Sequence, residues 1–530
     1  MLSVTTLEAF GKAQANRARK DFSVFEKGWE VRAGGSVVQI HPYISWNDPD
    51  ITGIGDRNGY ALLHMWRWLD ETLCTLESLN STDPRKAGLF IEIIEVLDTY
   101  AAANPAMASY DAAAGEQALR LAILLTQRRE IAVRDEQDSW IATLDVLVNR
   151  TLDTIRQAST SPNPTNHILW EIHGLMGLGR AQDQQVSMDL AENRLRGYLD
   201  DAFEPSMVLK EDALDYHRFI LRRLRVLDQS GWYGDLLRDH ISQGTERLKS
   251  WTMKDGRLPA IGDSPLKLGK DEDFLPGISL DYSLKMESHS GWISGRATFA
   301  DSTADSFILL MGACNSGIHK HSDDLSIWWT EGDHDILIDP GKCTYSHGSI
   351  RESFVSAPFH NVVSIDGGPV RARTRSTVPP LFSAVQAEDG ELHAYGVVED
   401  IAGTWHRNVR WRPRQLVVTD IVDLEEYSSI GINWQLGRHS IGARTYVPAN
   451  ELVWLPLLCE RTGRLGSITV HSSHELTAFH AYGERDPSFF GWRSEAYGEI
   501  TPSHSTRFEC RARSLTLTTT LAVETPIPTR

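Results

Sequence analysis

The chain lacks paired cysteines. Its five cysteines, in 530 residues, are Cys74, Cys314, Cys343, Cys459 and Cys510, and none forms a C-x-x-C pair. Widely separated cysteines in odd number do not predict a disulfide framework, and without a C-x-x-C pair a thiolate zinc site is not expected. The sequence therefore predicts thiols that are mostly reduced and buried.

Long hydrophobic runs are also missing. No run of 18 apolar residues occurs, and the N-terminal stretch MLSVTTLEAFGKAQANRARKDF lacks the apolar segment of a signal peptide. We therefore expect no membrane span and a cytoplasmic location. A leader preceding this sequence would instead place the protein in the periplasm or outside the cell.

Positive charge is in deficit. Lysine and arginine number 53 against 71 aspartates and glutamates, which gives a net charge of −18. This charge argues against nucleic acid and anionic membranes as partners. It also disfavours a polyanionic substrate unless basic residues line a cleft. The composition, 41% hydrophobic and 23% charged, is that of a globular protein.

Two kinds of hydrophobic periodicity divide the chain. From about Tyr60 to Lys254, apolar residues recur every three or four positions, which predicts an array of about eight amphipathic helices. Beyond residues 275–290, short alternating runs separated by turns predict a large antiparallel sheet or sandwich. We therefore expect an α+β chain with a helical domain at 1–280 and a β-sheet domain at 281–530.

The stretch from His319 to Gly367 carries the densest chemistry. His319 and His321 form an H-x-H pair, Asp339 opens a D-P-G turn after an apolar run, and His360 precedes another β-type run. Adjacent antiparallel strands could bring His321, Asp339 and His360 together, and two imidazoles with one carboxylate are a common zinc ligand set. The alternative is a buried hydrogen-bonded cluster without metal.

Three ordered motifs in this stretch are far more specific than the H-x-H pair alone. They read H-x-H-x-D-x-L-S, D-P-G-x-x-x-Y and H-N-x-V-x-x-D-G. Together they resemble the signature of the heparinase II/III-like family of polysaccharide lyases. The resemblance implies an incomplete (α/α) toroid followed by an antiparallel β-sandwich. It also implies cleavage of a uronate-containing acidic glycan by β-elimination.

The resemblance also suggests roles for individual residues. Asn166 and His167, directly before an apolar helix, would neutralise the substrate carboxylate, and Tyr216 and His319 would serve as base and acid. As a base, Tyr216 would need a pKa below its ordinary value, for which Arg218 or a metal is a candidate cause. The expected substrate-binding residues are Arg218, Glu171, Tyr345, His406 and Arg407. The expected metal is a structural zinc ion on His321, Asp339 and His360.

Two other classes of function are left open. A glycoside hydrolase would use two carboxylates, for which Glu171 with Asp263, or Asp323 with Asp324, are candidates, but their spacing does not support a pair. A glycan-binding or biosynthesis-associated protein could keep the fold without activity. The sequence does not specify which acidic glycan is bound, whether cleavage is endo or exo, or whether the chain forms a homodimer.

Overall fold

The computed structural model describes most of the chain. The described residues are 23–31, 37–48, 51, 57–109, 111–131, 137–158, 166–266, 283–298, 305–312, 317–332, 334–346, 348–370, 381–386, 391–400, 403–441, 446–459, 463–485 and 489–524. The chain divides into two compact units. The first comprises residues 1–201 and 222–238, and the second comprises residues 202–221 and 239–530.

Helices dominate the first part of the chain. They are α1 Val24–Lys27, α2 Arg57–His64, α3 Asp70–Ser78, α4 Pro84–Ala103, α5 Asp111–Glu130, α6 Gln137–Ala158, α7 Ile168–Gln182, α8 Gln185–Ala202, α9 Leu214–Gln229, α10 Arg238–Trp251 and α11 Ser349–Val355. None of these described helices is long and apolar enough to cross a membrane.

Helices α5 and α7 form the centre of the first unit. They approach so closely that a Cβ atom on Gly174 would lie 2.3 Å from the carbonyl oxygen of Gly115. Most residues of both helices are buried. The close packing fixes the start of α5, with Asp111, against the turn that precedes α7, where His167 lies.

Strands dominate the remainder. They are β1 Trp29–Glu30, β2 Val37–Val38, β3 Ser283–His289, β4 Trp292–Thr298, β5 Asp305–Met311, β6 Ser326–Glu331, β7 His334–Leu337, β8 Val363–Ile365, β9 Gly368–Pro369, β10 Leu381–Gln386, β11 Leu392–Asp400, β12 Gly403–Arg412, β13 Gln415–Gln435, β14 His439–Ile441, β15 Tyr446–Val447, β16 Leu452–Cys459, β17 Gly463–Ser472, β18 Leu476–Tyr482, β19 Trp492–Arg493, β20 Thr501–Pro502 and β21 His504–Val523.

Two antiparallel sheets build the second unit. Strands β3 to β7 pair in chain order as a five-stranded sheet, and a twelve-stranded sheet has the main order β10-β11-β12-β13-β21-β17-β16-β14. Ile308 and Leu310 of β5 share a core with the large sheet. The alternate residues Phe307, Leu309 and Met311 pack with α9 and α10. Both faces of the small sheet are thus buried, because successive strand side chains point to opposite sides.

The prediction of helices followed by antiparallel strands is confirmed. The compact units nevertheless differ from the predicted ranges 1–280 and 281–530. Residues 202–221 and most of α10 belong with the strands because Leu214, Leu221, Leu248 and Trp251 share one core with the small sheet. Helical periodicity marks where helices occur, but it does not indicate which core buries them.

Candidate active site and histidine clusters

Three loop segments of the second unit are tied together by their backbones. The N–H of Asp263 donates to the carbonyl of His319 at 3.0 Å, and the N–H of Asp212 donates to the carbonyl of Ile318 at 3.1 Å. Between them, Gly262 has φ +61°, and a Cβ there would lie 2.5 Å from the Asp212 oxygen. Glycine is therefore required for this close approach.

Asp263 is the centre of the site. Its Oδ2 accepts from His319 Nδ1 at 3.0 Å, and its Oδ1 accepts from His321 Nε2 at 3.0 Å and from Arg351 at 2.5 Å. Burial acts to raise the pKa of Asp263, but the hydrogen bonds from His319, His321 and Arg351 outweigh it and hold the pKa far below its ordinary range. An ionised carboxylate only accepts, so both facing ring nitrogens carry protons.

The H-x-H pair is bent. His319 has φ +59°, which turns the backbone between the two histidines. The two rings consequently bind different oxygens of Asp263 rather than lying side by side. Sequence reasoning treated Asp263 only as one half of a hydrolase carboxylate pair. The structure instead places it against two imidazoles, and no local pattern connects residues 56 positions apart.

Tyr216, near the start of α9, stacks on His319. The ring centroids are 3.5 Å apart and the planes differ by 16°. The Tyr216 hydroxyl shares a hydrogen bond of 2.7 Å with the Tyr345 hydroxyl, to which Lys342 Nζ donates at 3.3 Å. The structure thus brings together three of the predicted site residues, Tyr216, His319 and Tyr345.

The expected lowering of the Tyr216 pKa is wrong. Burial raises the pKa of Tyr216 well above its ordinary value, and the hydrogen bond from Tyr345 offsets only part of this rise. Arg218, the proposed cause of a lowering, donates instead to Asp215 at 2.6 Å. Tyr216 is therefore a neutral phenol that can donate a proton.

Glu211 is a site residue that sequence reasoning missed. Its Oε2 lies 3.5 Å from Nε2 of His319, on the side of the ring opposite Asp263. Burial, followed by the charge of Asp212, raises the pKa of Glu211 to about 7. Among the described residues, this Oε2 has no hydrogen-bond partner. His319 thus lies between an ionised carboxylate and one that titrates near neutrality.

His321, Asp339 and His360 form the predicted cluster. All three are buried, and their ligand atoms lie within 4.8 Å of one another. His360 Nδ1 donates to Asp339 Oδ2 at 2.7 Å. Within the described part of the chain, His321 Nδ1 and His360 Nε2 are buried without a hydrogen-bond partner. Because each ring's other nitrogen carries the proton, these two atoms present bare lone pairs, which is what a metal ligand requires.

In the first unit, His167 is held by Asp111 rather than by Glu171. Its Nδ1 lies 2.9 Å from Asp111 Oδ1. Glu171, which was expected to bind substrate, is buried and accepts from Arg194 at 2.6 Å. Asn166 lies in the half-buried turn immediately before His167.

The predicted pair His406 and Arg407 points to opposite faces of β12. His406 Nδ1 shares a hydrogen bond of 2.6 Å with the Tyr395 hydroxyl. Arg407 is fully buried, where it donates to Asp420 and to the carbonyl of Leu325. The prediction that Arg407 binds substrate is therefore corrected. Its guanidinium joins strands β12 and β13 to the loop before β6, and because it is fully buried there, a glycan cannot reach it.

Comparison with known proteins identifies relatives by family and fold. Residues 284–523 match the family model described as Heparinase II/III-like, C-terminal. A heparinase III structure has a TM-score of 0.69 and 14% identity, covering 99% of this chain and 85% of that chain. The heparan sulfate lyase HepC of Pedobacter heparinus has a TM-score of 0.59 and 13% identity, covering 100% and 84%.

A third solved structure, of a chondroitinase AC lyase, has a TM-score of 0.51 and 10% identity, covering 98% of this chain and 82% of that chain. At such identities these likenesses show a shared fold. The search among curated proteins found no match. The resemblance predicted from the three ordered motifs is confirmed.

Proposed function

We propose that this chain, whose residues 284–523 belong to the heparinase II/III-like family, is a polysaccharide lyase that cleaves a uronate-containing glycan by β-elimination. The observation that supports this most is the stack of Tyr216 on His319, whose Nδ1 is held by Asp263. It places a neutral phenol and an oriented imidazole side by side. β-Elimination needs one group to remove a proton and another to donate one.

The hydrogen bonds favour one assignment of these roles. Because Asp263 is ionised, His319 carries its proton on Nδ1 and can accept a proton at Nε2. His319 is therefore the proposed base for the proton next to the uronate carboxylate. Tyr216, whose pKa is raised by burial, is the proposed acid for the leaving glycosidic oxygen. Tyr345 supports the phenol through its hydroxyl.

Neutralisation of the substrate carboxylate is proposed for Asn166 and His167 of the first unit. Removing a proton next to an ionised carboxylate would create a dianion, so a hydrogen-bond donor must first offset the carboxylate charge. An amide group suits this purpose. His167 is the second proposed group, and its ring is oriented by Asp111, whose Oδ1 lies 2.9 Å from His167 Nδ1. An incomplete (α/α) toroid is the proposed arrangement of the helices.

The proposed metal is a structural zinc ion on His321, Asp339 and His360. Each of these residues offers one ligand atom, the three atoms lie within 4.8 Å of one another, and two imidazoles with one carboxylate are a common zinc ligand set. When bound, the ion would anchor the loops beneath the site. Asp263 would then orient His321 from the second coordination sphere while it orients His319 directly.

The proposed substrate is a weakly acidic polysaccharide or oligosaccharide. Two of the similar structures are a heparan sulfate lyase and a chondroitinase AC lyase. The net charge of −18 favours a carboxylated glycan over a densely sulfated one. Lys342 and Arg351, which lie beside Tyr345, are cations on the site that could meet such a carboxylate.

The test is ultraviolet absorbance during incubation with a panel of acidic glycans. A lyase creates a double bond conjugated with the carboxylate, so absorbance should rise with wild type and be lost with Tyr216→Phe. Tyr427→Phe, at an exposed tyrosine of the large sheet, is the matched control and should keep full activity. New reducing ends without absorbance would contradict the proposal and favour a hydrolase. Binding without either signal would favour a glycan-binding protein.

A further inference from the structure

A second buried cluster of metal-binding side chains lies where the two sheets of the second unit meet. It comprises His334 of β7, His439 of β14 and Cys459 of β16, and each of the three is at least nine-tenths buried. One ligand atom from each residue lies within 4.8 Å of the others. The cluster shares no residue with the cluster of His321, Asp339 and His360.

Strand register creates this cluster. His439 and Cys459 are direct partners across the antiparallel pair β14–β16. Opposed residues on antiparallel strands have Cβ atoms about 5 Å apart and point to the same face. Strand β7 is an edge strand of the small sheet, and β14 ends the main path of the large sheet. His334 therefore reaches the pair from the other sheet.

The backbone fixes how these edges meet. The N–H of Ile338, directly after β7, donates to the carbonyl of Gln435 at the end of β13 at 3.0 Å. In the turn before His439, Gly437 has φ +33°, and a Cβ there would lie 2.4 Å from the carbonyl oxygen of Asp335. Only glycine permits this approach, which brings the His439 ring beside β7.

The His439 ring is arranged like a metal ligand. Its Nδ1 is buried and has no hydrogen-bond partner among the described residues. The ring also hydrogen-bonds the backbone of Asp335. In protein metal sites, a ligating histidine usually donates its other N–H to a carbonyl or carboxylate, which fixes the tautomer. His439 has the same arrangement, because one ring nitrogen bonds the backbone and the other is buried without a partner among the described residues.

We propose that His334, His439 and Cys459 bind a Zn²⁺ ion that joins the edges of the two sheets. One thiolate and two imidazoles are a zinc ligand set in which water completes a tetrahedron. Binding releases the thiol proton to solvent. Ligand atoms around tetrahedral zinc lie roughly 3.5 Å apart, so the three side chains need only small adjustments. This site is independent of the proposed lyase activity.

Cobalt substitution tests the proposal in the full chain. Metal-free protein is titrated with Co²⁺, and a thiolate-to-cobalt charge-transfer band should appear in the near ultraviolet. Cys459→Ser should abolish the band. Cys510→Ser, a half-buried cysteine in the same sheet, should leave it unchanged. His360→Ala should also leave it unchanged, because that residue belongs to the other cluster.

A second measurement covers the case in which variants fail to fold. In wild type, saturating Zn²⁺ should slow alkylation of Cys459 at least tenfold, as read by peptide mass spectrometry, while Cys510 is unaffected. His439→Asn should remove this protection. The proposal is overturned if wild type shows no thiolate band, if the band survives Cys459→Ser, or if Zn²⁺ does not protect Cys459.

Discussion

The carboxyl group of Glu211 gives the chain a pH-dependent stability that can be calculated. Its folded-state pKa of about 7 lies above the ordinary value of 4.5 because the side chain is buried and, to a smaller extent, because of the charge of Asp212. Between these two values the folded chain keeps a proton that the unfolded chain has lost. The stabilisation from this protonation is complete below pH 4.5 and is lost as pH rises through 7.

The size of the effect follows from the difference between the two pKa values. One pKa unit corresponds to about 1.4 kcal/mol, so ionisation of Glu211 costs the folded state about 3 kcal/mol above pH 7. Glu211→Gln removes this cost, because the amide stays neutral. For a cooperative unit of about three hundred residues, 3 kcal/mol corresponds to roughly 5 °C in Tm.

The assay is differential scanning calorimetry of wild type and Glu211→Gln from pH 5 to pH 8. The Tm of Glu211→Gln should rise relative to that of wild type as pH rises, and the two Tm values should be closest at pH 5. Glu246→Gln, at an exposed glutamate of α10, is the control and should follow wild type. Parallel curves for Glu211→Gln and wild type across this range would refute the reasoning.

Other expectations follow from the same contacts. Asp263→Asn should lower kcat roughly 10³-fold in the absorbance assay, because an amide does not fix the His319 proton on Nδ1. A change in KM with kcat unchanged would contradict this. Gly262→Ala should lower the free energy of unfolding by about 2 kcal/mol or more in urea titrations, since a Cβ would meet two carbonyl oxygens, whereas Gly234→Ala, with open space, should cost less. Arg407→Leu should destabilise by about 3–5 kcal/mol in the same titrations, because Asp420 stays buried without its cation; a change below 1 kcal/mol would contradict the structural role. Chelation of metal should lower the Tm of wild type. The Tm of His360→Ala should fall less, because that site has lost a ligand.

The strands and several site residues could be predicted because short sequence patterns determine them. The alternating runs predicted the strands, and the end of the Ile336–Ile338 run placed Asp339 where it meets His360. The H-x-H pair marked both histidines, although the positive φ of His319 that separates their directions is not visible in the sequence.

Contacts between distant loops and strands could not be predicted in this way. Asp263 reaches His319 because Gly262 allows two backbones to touch, and one glycine in a turn-rich segment does not indicate its partner. The absence of a C-x-x-C pair argued against thiolate zinc sites. That rule concerns ligands close in sequence, whereas His439 and Cys459 are adjacent only through strand register. The H-R pair at the start of β12 likewise gave no sign that strand alternation buries Arg407.

Burial of the small sheet on both faces determines where the chain can be divided. A fragment that begins near residue 281, close to where the family match starts, would keep the strands of both sheets of the second unit but lose α9 and α10. Trp292, Phe307, Leu309, Met311 and Trp328 would then face water as one continuous apolar surface. Such a fragment should aggregate when expressed alone. Because residues 202–221 complete this core, a recombinant C-terminal fragment should start no later than Ala202.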